Sequence, residues 1–337
     1  MAEPILSVRD LRTYFRPDEG VVRAVDGASF DLYPGRTLGI VGESGCGKSV
    51  TARSILRIVD RPGKVEGGNM LLRRGDGRVV DLAKIDDSSA EMRDIRGGEI
   101  GYVFQEPMSS LSSFYTIGNQ VVEAIRLHRT LSLNEARDRA IELLRLVGIP
   151  RPEQRVDSYS FELSGGLRQR VMIALALAAE PRILIADEPT TALDVTTQAQ
   201  ILELIRTIQV ERQLAVVLIT HDMGVIAEMA DSVSVMYLGK VVESGPVDEI
   251  FHAPKHPYTQ ALLRSIPSVL AEPRSRLATI AGSIPHPYAR PPGCTFHPRC
   301  RDFMAGTCDG EAPPLTSLDA VHEVRCYLYG RGAGGGA

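Results

Sequence analysis

A glycine-rich octapeptide carries the clearest chemistry in the sequence. Residues 42–49 read GESGCGKS and match G-x-x-x-x-G-K-[ST], a pattern in which backbone N–H groups, a lysine and a hydroxyl surround phosphate groups. The buried-strand sequence TLGIV precedes it and the helix-compatible VTARSILRIV follows it. We predict a nucleotide site in which Lys48 contacts the β- and γ-phosphates and Ser49 binds Mg²⁺. The predicted loop residues are Gly42, Glu43, Ser44, Gly45, Cys46, Gly47, Lys48, Ser49 and Val50.

Two adjacent carboxylates follow a second apolar run. In RILIADEP, Asp187 and Glu188 come after four apolar positions of a predicted buried strand. Phosphoryl transfer asks a protein mainly for positioning and charge stabilisation. One carboxylate can therefore hold Mg²⁺, and the next can act as general base or polarise the attacking water. We assign the metal role to Asp187 and the base role to Glu188.

Two further polar side chains end apolar runs. His221 follows AVVLIT, and Gln105 follows the apolar part of YVFQEP. Ligands of α/β sheets gather at the carboxyl ends of strands. We therefore expect His221 to contact the γ-phosphate and align Glu188, and Gln105 to contact Mg²⁺ or the attacking water. A lone histidine is more often structural and a lone glutamine is uninformative, so both assignments depend on the phosphate loop.

Hydrophobic patterns predict an α/β architecture around these residues. Apolar and polar residues alternate in 5–11 and 28–32, which is typical of half-buried antiparallel strands. The continuous apolar runs before the polar residues are typical of a parallel sheet covered on both faces. Residues from about 106 to 163 have a mostly helical pattern and predict a helical subdomain. VSVMYLGKVVESG predicts a hairpin that turns at Leu238 and Gly239.

Composition excludes several classes of protein. The chain has 337 residues, 38 Lys and Arg against 42 Asp and Glu, and 44% hydrophobic residues, so it is neither disordered nor collagenous. A net charge of −4 and the absence of Trp argue against nucleic-acid binding. The sequence has no apolar window long enough to span a membrane, and MAEPILSVRD does not have the pattern of a signal peptide. We expect a cytoplasmic protein.

The sequence changes character near residue 251. Prolines recur from Pro254 onward, and four of the five cysteines fall in the last 44 residues with the spacing C-x5-C-x7-C-x17-C. This spacing is wider than the tight pairs of zinc sites, and four thiolates suit a [4Fe-4S] cluster at least equally well. A disulfide framework is less expected in a reducing compartment. We expect ligation, rather than apolar burial, to fix this segment. The cysteines are Cys294, Cys300, Cys308 and Cys326.

The fifth cysteine, Cys46, lies inside the phosphate loop, where a small side chain is needed. Its place beside a helix N-terminus and Lys48 predicts a lowered thiol pKa. Modification of this thiol would then block nucleotide binding.

LSGGLRQRV, residues 163–171, resembles the signature of ATP-binding-cassette (ABC) ATPases. The resemblance covers residues 5 to about 251, with all motifs in the family's order. It implies a P-loop NTPase ABC cassette of α/β class, with a mixed β-sheet core, a helical subdomain and an N-terminal antiparallel β-layer. It also implies ATP and Mg²⁺, and two cassettes that close head to tail. Residues implied to contact the partner's ATP are Ser164, Gly165, Gly166 and Gln169, and those of the D-loop are Ala192, Leu193 and Asp194. The family's aromatic that stacks on adenine corresponds best to Phe15, with Tyr14 second.

FHAPKHPYTQALLRSIP, GSIPHPYARPPGC and the late cysteines resemble the C-terminal extension of oligopeptide and dipeptide importer ATPases. This implies a cassette in 1–251, a small irregular Cys-rich extension in 252–330 and a flexible tail in 331–337. Members of that group carry a [4Fe-4S] cluster, which favours iron over the alternative, Zn²⁺. Two departures from the group's pattern, in 106–117 and at Leu167, lie beside the expected permease surface.

The resemblance also implies the function and the partners. The chain would hydrolyse ATP to power peptide uptake at the cytoplasmic face of the cell membrane. Its partners would be a second ATPase subunit, identical or different, two transmembrane permeases and an extracytoplasmic substrate-binding protein. The alternatives are import of nickel, glycosides or another small solute and, less expected, a soluble ABC ATPase outside transport.

Overall fold

The computed structural model describes residues 3–106, 110–266 and 280–330, so the predicted tail at 331–337 lies outside the described residues. Tertiary contacts divide the chain into two compact units. Unit 1 comprises Met1–Leu6, Asp31–Thr37 and Leu71–Ile219, and unit 2 comprises Ser7–Phe30, Leu38–Met70 and Thr220–Ala337. Within the described ranges, helices are too short or too polar to traverse a bilayer.

The strands and the helices are numbered separately, each in chain order. The strands are β1 (Leu6–Phe15), β2 (Val22–Leu32), β3 (Thr37–Val41), β4 (Gly63–Arg73), β5 (Val79–Asp81), β6 (Ile100–Val103), β7 (Ile183–Asp187), β8 (Ala215–Thr220), β9 (Ser232–Tyr237), β10 (Lys240–Pro246), β11 (Thr316–Ser317) and β12 (Glu323–Val324). The helices are α1 (Lys48–Ile55), α2 (Ala90–Gly98), α3 (Ile117–His128), α4 (Leu133–Leu146), α5 (Pro152–Arg155), α6 (Gly165–Ala176), α7 (Val195–Arg212), α8 (Met223–Met229), α9 (Val247–His252), α10 (Pro257–Arg264) and α11 (Tyr327–Gly330).

The core of unit 1 is a set of parallel strands, with β7 between β6 and β8. Every residue of these three strands is buried, as expected for strands covered on both faces. Val103 pairs with Ala186 and Asp187 pairs with Ile219, so the carboxyl ends of the strands lie at one edge. The predicted buried strands and their parallel arrangement are confirmed.

Helices fill the predicted helical segment of unit 1. Amphipathic α4 begins at a capping box, in which the Ser132 hydroxyl accepts from the Glu135 N–H and the Glu135 carboxylate accepts from the Ser132 N–H. The Thr116 hydroxyl caps α3 by accepting from the Asn119 N–H. These local signals agree with the 3.6-residue period of the buried positions, and the mostly helical prediction for this segment is confirmed.

Unit 2 contains most of the N-terminal β-layer, in which β2, β1 and β4 are neighbours in that order. It also contains β3, which pairs in parallel with β9, and the antiparallel pair β9 and β10. Leu238 and Gly239 join that pair with φ values of 43° and 80°. Such left-handed residues are typical of a tight hairpin turn, so the predicted hairpin is confirmed.

The C-terminal extension is built partly on apolar burial, which corrects the expectation that ligation alone would fix it. Tyr258 and Phe296 are 0% and 2% exposed, and their ring centroids lie 5.3 Å apart. Tyr258 also packs 4.7 Å from the ring of Tyr237 at the end of β9. Strand β12 pairs with β10, with Val324 opposite Glu243. The sequence does not reveal this core, because its aromatic residues are far apart in the chain.

Candidate functional site

The phosphate loop, residues 42–49 of unit 2, begins where the fully buried strand β3 ends. Gly42 and Gly47 have φ values of 151° and 105°. A Cβ at Gly47 would lie 2.1 Å from the Ala24 carbonyl oxygen, and one at Gly42 would lie 2.2 Å from that of Met236. Only glycine fits at these positions, which is why the loop can curl tightly before α1 begins.

Lys48 is folded into this loop. The side chain is 4% exposed, and Nζ donates to the Gly42 carbonyl oxygen at 2.8 Å and to that of Glu43 at 3.2 Å. An anionic phosphate oxygen is a stronger acceptor for an ammonium group than a neutral carbonyl is. The lysine is therefore held where an entering phosphate group can take over its hydrogen bonds.

Cys46 corrects one prediction about the loop. The residue is 4% exposed, and burial raises the pKa of its thiol despite the opposing effect of the Lys48 ammonium. The prediction of a lowered thiol pKa is wrong, because burial penalises the thiolate more strongly than the neighbouring cation favours it. Cys46 fills space in the loop as a neutral thiol.

The two predicted carboxylates lie at the end of β7 in unit 1. Asp187 is 1% exposed, and one of its oxygens accepts from the Tyr102 hydroxyl of β6 at 2.8 Å. Glu188 follows with a φ of 47°, and its N–H donates to the Ile219 carbonyl oxygen at 2.9 Å. This backbone turn separates the two carboxylates, which sequence analysis assigned to different roles.

The Glu188 carboxylate is held by two neighbours. Its Oε2 accepts from the Gln105 amide at 3.0 Å and from the Thr191 hydroxyl at 2.9 Å. Gln105 follows β6 and Glu188 follows the adjacent strand β7, so the parallel register brings these side chains together. Both partners donate to the same oxygen, which orients the carboxylate.

The signature begins α6 in unit 1. The Ser164 hydroxyl caps the helix by accepting from the Leu167 N–H at 3.4 Å, and Ser164 and Gly165 are exposed. A Cβ at Gly166 would lie 2.6 Å from the Thr197 side chain, so glycine allows α6 and α7 to approach closely. Gln169 is only 2% exposed. Its contact with a partner's ATP stays a prediction.

The predicted D-loop leads into α7. Ala192 has a φ of 65°, Ala192 is exposed and Leu193 is half-buried. The Asp194 carboxylate caps α7 by accepting from the Thr197 N–H at 3.0 Å and from the Thr197 hydroxyl at 2.7 Å. These hydrogen bonds lower the pKa of Asp194. The segment is therefore anchored at its end while its preceding residues face solvent.

His221 and the N-terminal aromatics belong to unit 2. His221 is exposed after β8, and the next residue, Asp222, caps α8. The Tyr14 hydroxyl donates to Asp26 at 2.6 Å, and burial together with that carboxylate raises the pKa of Tyr14 to about 12. The Arg23 guanidinium lies 5.7 Å from the Tyr14 ring centroid. The Phe15 ring lies beside Gly63, where a Cβ would be 2.6 Å from its edge.

The four late cysteines are free thiols in unit 2. The Cys294 N–H donates to the Cys308 carbonyl oxygen at 2.8 Å. Burial, with smaller contributions from neighbouring thiols, raises the pKa of Cys294 and of Cys326 to about 11. In the described ranges, however, no three His, Cys, Asp or Glu side chains are arranged to hold a metal ion. The donor chemistry fits a metal or cluster, whereas the observed positions are not a preformed ligand set.

These features define a class of protein, an ABC-type ATPase cassette. Residues 25–191 match the ABC transporter family, and residues 242–308 match the C-terminal region of oligopeptide/dipeptide transporters. A putative peptide import ATP-binding protein of Brucella melitensis biotype 1 is 48% identical over 97% of this chain and 98% of its own length. Another from Brucella abortus (strain 2308) is 50% identical over 96% and 94%.

The fold is similar to that of a solved ATP-binding cassette, a dimer in a post-hydrolysis state bound to ADP and Pi. The TM-score is 0.63 at 28% identity, over 72% of this chain and 98% of that one. The chain belongs to the ABC transporter family, in the branch whose ATP-binding proteins carry the oligopeptide/dipeptide transporter C-terminal region.

Proposed function

We propose that this chain is the ATP-hydrolysing subunit of an ABC importer that takes up dipeptides and oligopeptides. The observation that carries the ATPase assignment is the Glu188 carboxylate at the end of β7, oriented by Gln105 and Thr191. The peptide substrate is supported by the match of 242–308 and by near-full-length similarity to peptide import ATP-binding proteins.

The phosphate loop binds the nucleotide in this proposal. The ammonium of Lys48 exchanges its carbonyl acceptors for phosphate oxygens, and the loop's N–H groups surround the remaining charge. Phe15 or Tyr14 stacks on adenine. Asp187 and the Ser49 hydroxyl supply oxygen ligands of the kind Mg²⁺ prefers. Bound Mg²⁺ would neutralise charge on the transferring phosphate group.

Hydrolysis follows from Glu188. Its carboxylate accepts a proton from the attacking water, while Gln105 and Thr191 keep the carboxylate oriented. His221 donates toward the γ-phosphate. Exposed Ser164 and Gly165 contact the ATP of a second cassette, as expected for a helix N-terminus that presents N–H groups to an anion.

The remaining partners follow from the transport role. A second ATPase subunit, two transmembrane permeases and a substrate-binding protein complete the importer. The chain would then act at the cytoplasmic face of the membrane, held there by the permeases. The C-terminal match and the exposed signature support these assignments.

The four cysteines bind a [4Fe-4S] cluster in this proposal, with Zn²⁺ as the alternative. Four free thiols support a shared centre, since Cys294, Cys300 and Cys308 lie close enough to Cys326 to raise its pKa. Ligation would require their arrangement to change, because among the described residues they do not form a ligand set.

Glu188→Gln tests the ATPase assignment. Loss of the base should lower turnover by roughly 100-fold or more, with ATP affinity retained because Lys48 and Asp187 remain. Steady-state hydrolysis and calorimetry measure the two effects, and size-exclusion chromatography should detect ATP-trapped dimers. Glu211→Gln, an exposed change near the end of α7, is the matched control. Hydrolysis by Glu188→Gln at the parent rate would refute the role.

A further inference from the structure

The phosphate-loop residue Glu43 is held by two residues of the C-terminal extension. Arg299 binds its carboxylate with both terminal nitrogens, Nη1 to Oε2 at 2.6 Å and Nη2 to Oε1 at 3.0 Å. The Glu43 N–H donates to the Tyr258 hydroxyl oxygen at 2.9 Å. The Glu43 carbonyl oxygen accepts from Lys48. All three polar groups of Glu43 are therefore engaged, two of them by the extension.

Arg299 is itself fixed in place. Its side chain is 4% exposed, and Nε donates to the Ala281 carbonyl oxygen at 3.1 Å. The guanidinium lies 5.9 Å from the Tyr237 ring centroid and 6.0 Å from that of Phe296. The hydrogen bonds to Glu43 raise the pKa of Arg299, so the cation persists at all physiological pH values. A planar fork held on several sides gives its partner carboxylate one defined position.

The charge of Glu43 explains what this contact does. A carboxylate in a loop that receives a polyphosphate opposes binding by like-charge repulsion unless a cation neutralises it. Arg299, in the C-terminal extension, supplies that cation. When Lys48 exchanges the Glu43 carbonyl oxygen for phosphate, the contacts with Arg299 and Tyr258 still hold the loop.

We propose that Arg299 is a positioning residue for nucleotide binding, which neutralises Glu43 and fixes the phosphate loop from the C-terminal extension. The inference rests on the proposed role of the loop in binding ATP. In this proposal, the C-terminal extension supports the nucleotide site, in addition to any role in binding the permeases.

A double-mutant cycle tests this coupling. ATP dissociation constants are measured by calorimetry for the parent, Arg299→Ala, Glu43→Gln and the double variant, with circular dichroism and thermal unfolding as checks of the fold. Arg299→Ala should weaken ATP binding by roughly tenfold, because it leaves Glu43 uncompensated. In the Glu43→Gln background, the same change should alter the constant by less than about twofold. Arg299→Lys should retain part of the affinity, since it keeps the charge and loses the fork.

Arg301→Ala is the matched control, because Arg301 is an exposed arginine two residues away that contacts Gln260 and Asp302. It should bind ATP like the parent. Unchanged affinity in Arg299→Ala, or an equal loss in the Glu43→Gln background, would overturn the proposal. If Arg299→Ala does not fold, Arg299→Gln with and without Glu43→Gln provides the same comparison, because glutamine also removes the charge. Failure of the parent to bind ATP would instead refute the nucleotide-site assignment.

Discussion

At the residue scale, the burial of Lys48 supports its role as the phosphate-binding residue of the loop. The side chain is 4% exposed and donates to the main-chain carbonyl oxygens of Gly42 and Glu43, so its charge is available to a stronger acceptor. The cost of keeping an ammonium group in a buried place is offset when a phosphate group binds there.

Lys48→Ala should therefore lose nucleotide binding before any effect on hydrolysis. Removing a charged hydrogen-bond donor from a buried contact costs about 3 kcal/mol, which weakens ATP affinity by roughly 100-fold. Calorimetric titration with ATP measures the change. Lys84→Ala, an exposed lysine paired with Asp81, is the control and should bind normally. ATP affinity equal to the parent's would exclude Lys48 from the phosphate site.

Some residues of the site could be predicted from the sequence and others could not. Gln105 and Glu188 follow recognisable buried strands, and the structure brings them within hydrogen-bond distance. Tyr102 and Arg299 were missed. Tyr102 looks like ordinary strand packing, and Arg299 lies 256 residues from Glu43 in a segment without a periodic pattern. Contacts of this kind arise from tertiary folding, which local spacing does not encode.

At the element scale, hydrophobic runs predicted β3, β7 and β8 because strands buried on both faces have no polar alternation to obscure them. The antiparallel pair β4 and β5 was missed. β4 contains two adjacent glycines, and most of its residues are exposed or half-buried, so its apolar signal is weak. The helix α10 was also not predicted, since it begins with a proline in a proline-rich segment.

His256 at the start of α10 gives a pH prediction for this element. Its Nδ1 accepts from the Tyr258 N–H and so caps the helix, and complete burial lowers its pKa to about 3. The unfolded chain binds a proton at this residue below its ordinary pKa of about 6.5. Protons therefore favour unfolding, and stability falls as the pH decreases from about 6.5 toward 3.

His256→Asn keeps a capping oxygen and removes the titration. The parent should lose about 2 kcal/mol more unfolding free energy than this variant between pH 7.5 and pH 5. Urea unfolding at both pH values measures the difference. The exposed residue His252 at the end of α9 provides the control, and His252→Asn should keep the parent's pH dependence. Equal pH dependence in the parent and His256→Asn would contradict a neutral buried imidazole.

At the scale of the whole molecule, the boundary suggested near residue 251 is a compositional one. The two compact units are not divided at this residue, because unit 2 contains both the phosphate loop and the extension. Strand β12 extends the antiparallel pairing of β10, and Tyr258 reaches the main chain of Glu43. The sequence shows a change of composition there, whereas aromatic packing and strand pairing determine the units. Domain limits at 251 and 330 stay a prediction.

The late cysteines provide the final prediction, since they lie in the same unit as the phosphate loop. Protein purified without oxygen should contain iron and sulfide and show brown colour with broad visible absorbance. Four thiolates would share one centre, so Cys300→Ser should remove most of the iron. Elemental analysis of both proteins measures this. Cys46→Ser is the control, because Cys46 is buried in the phosphate loop and belongs to no cluster; its iron content should equal the parent's.

Loss of the cluster should also loosen the part of the extension that lacks an apolar core. Phe296 and Val324 are buried, whereas residues 301–307 are mostly exposed. Proteolysis of Cys300→Ser should therefore be faster at 301–307 than near Phe296. Stoichiometric zinc with negligible iron would refute the iron-sulfur cluster and support a zinc site. Absence of both metals, with proteolysis equal to the parent's, would show that apolar packing alone fixes the extension.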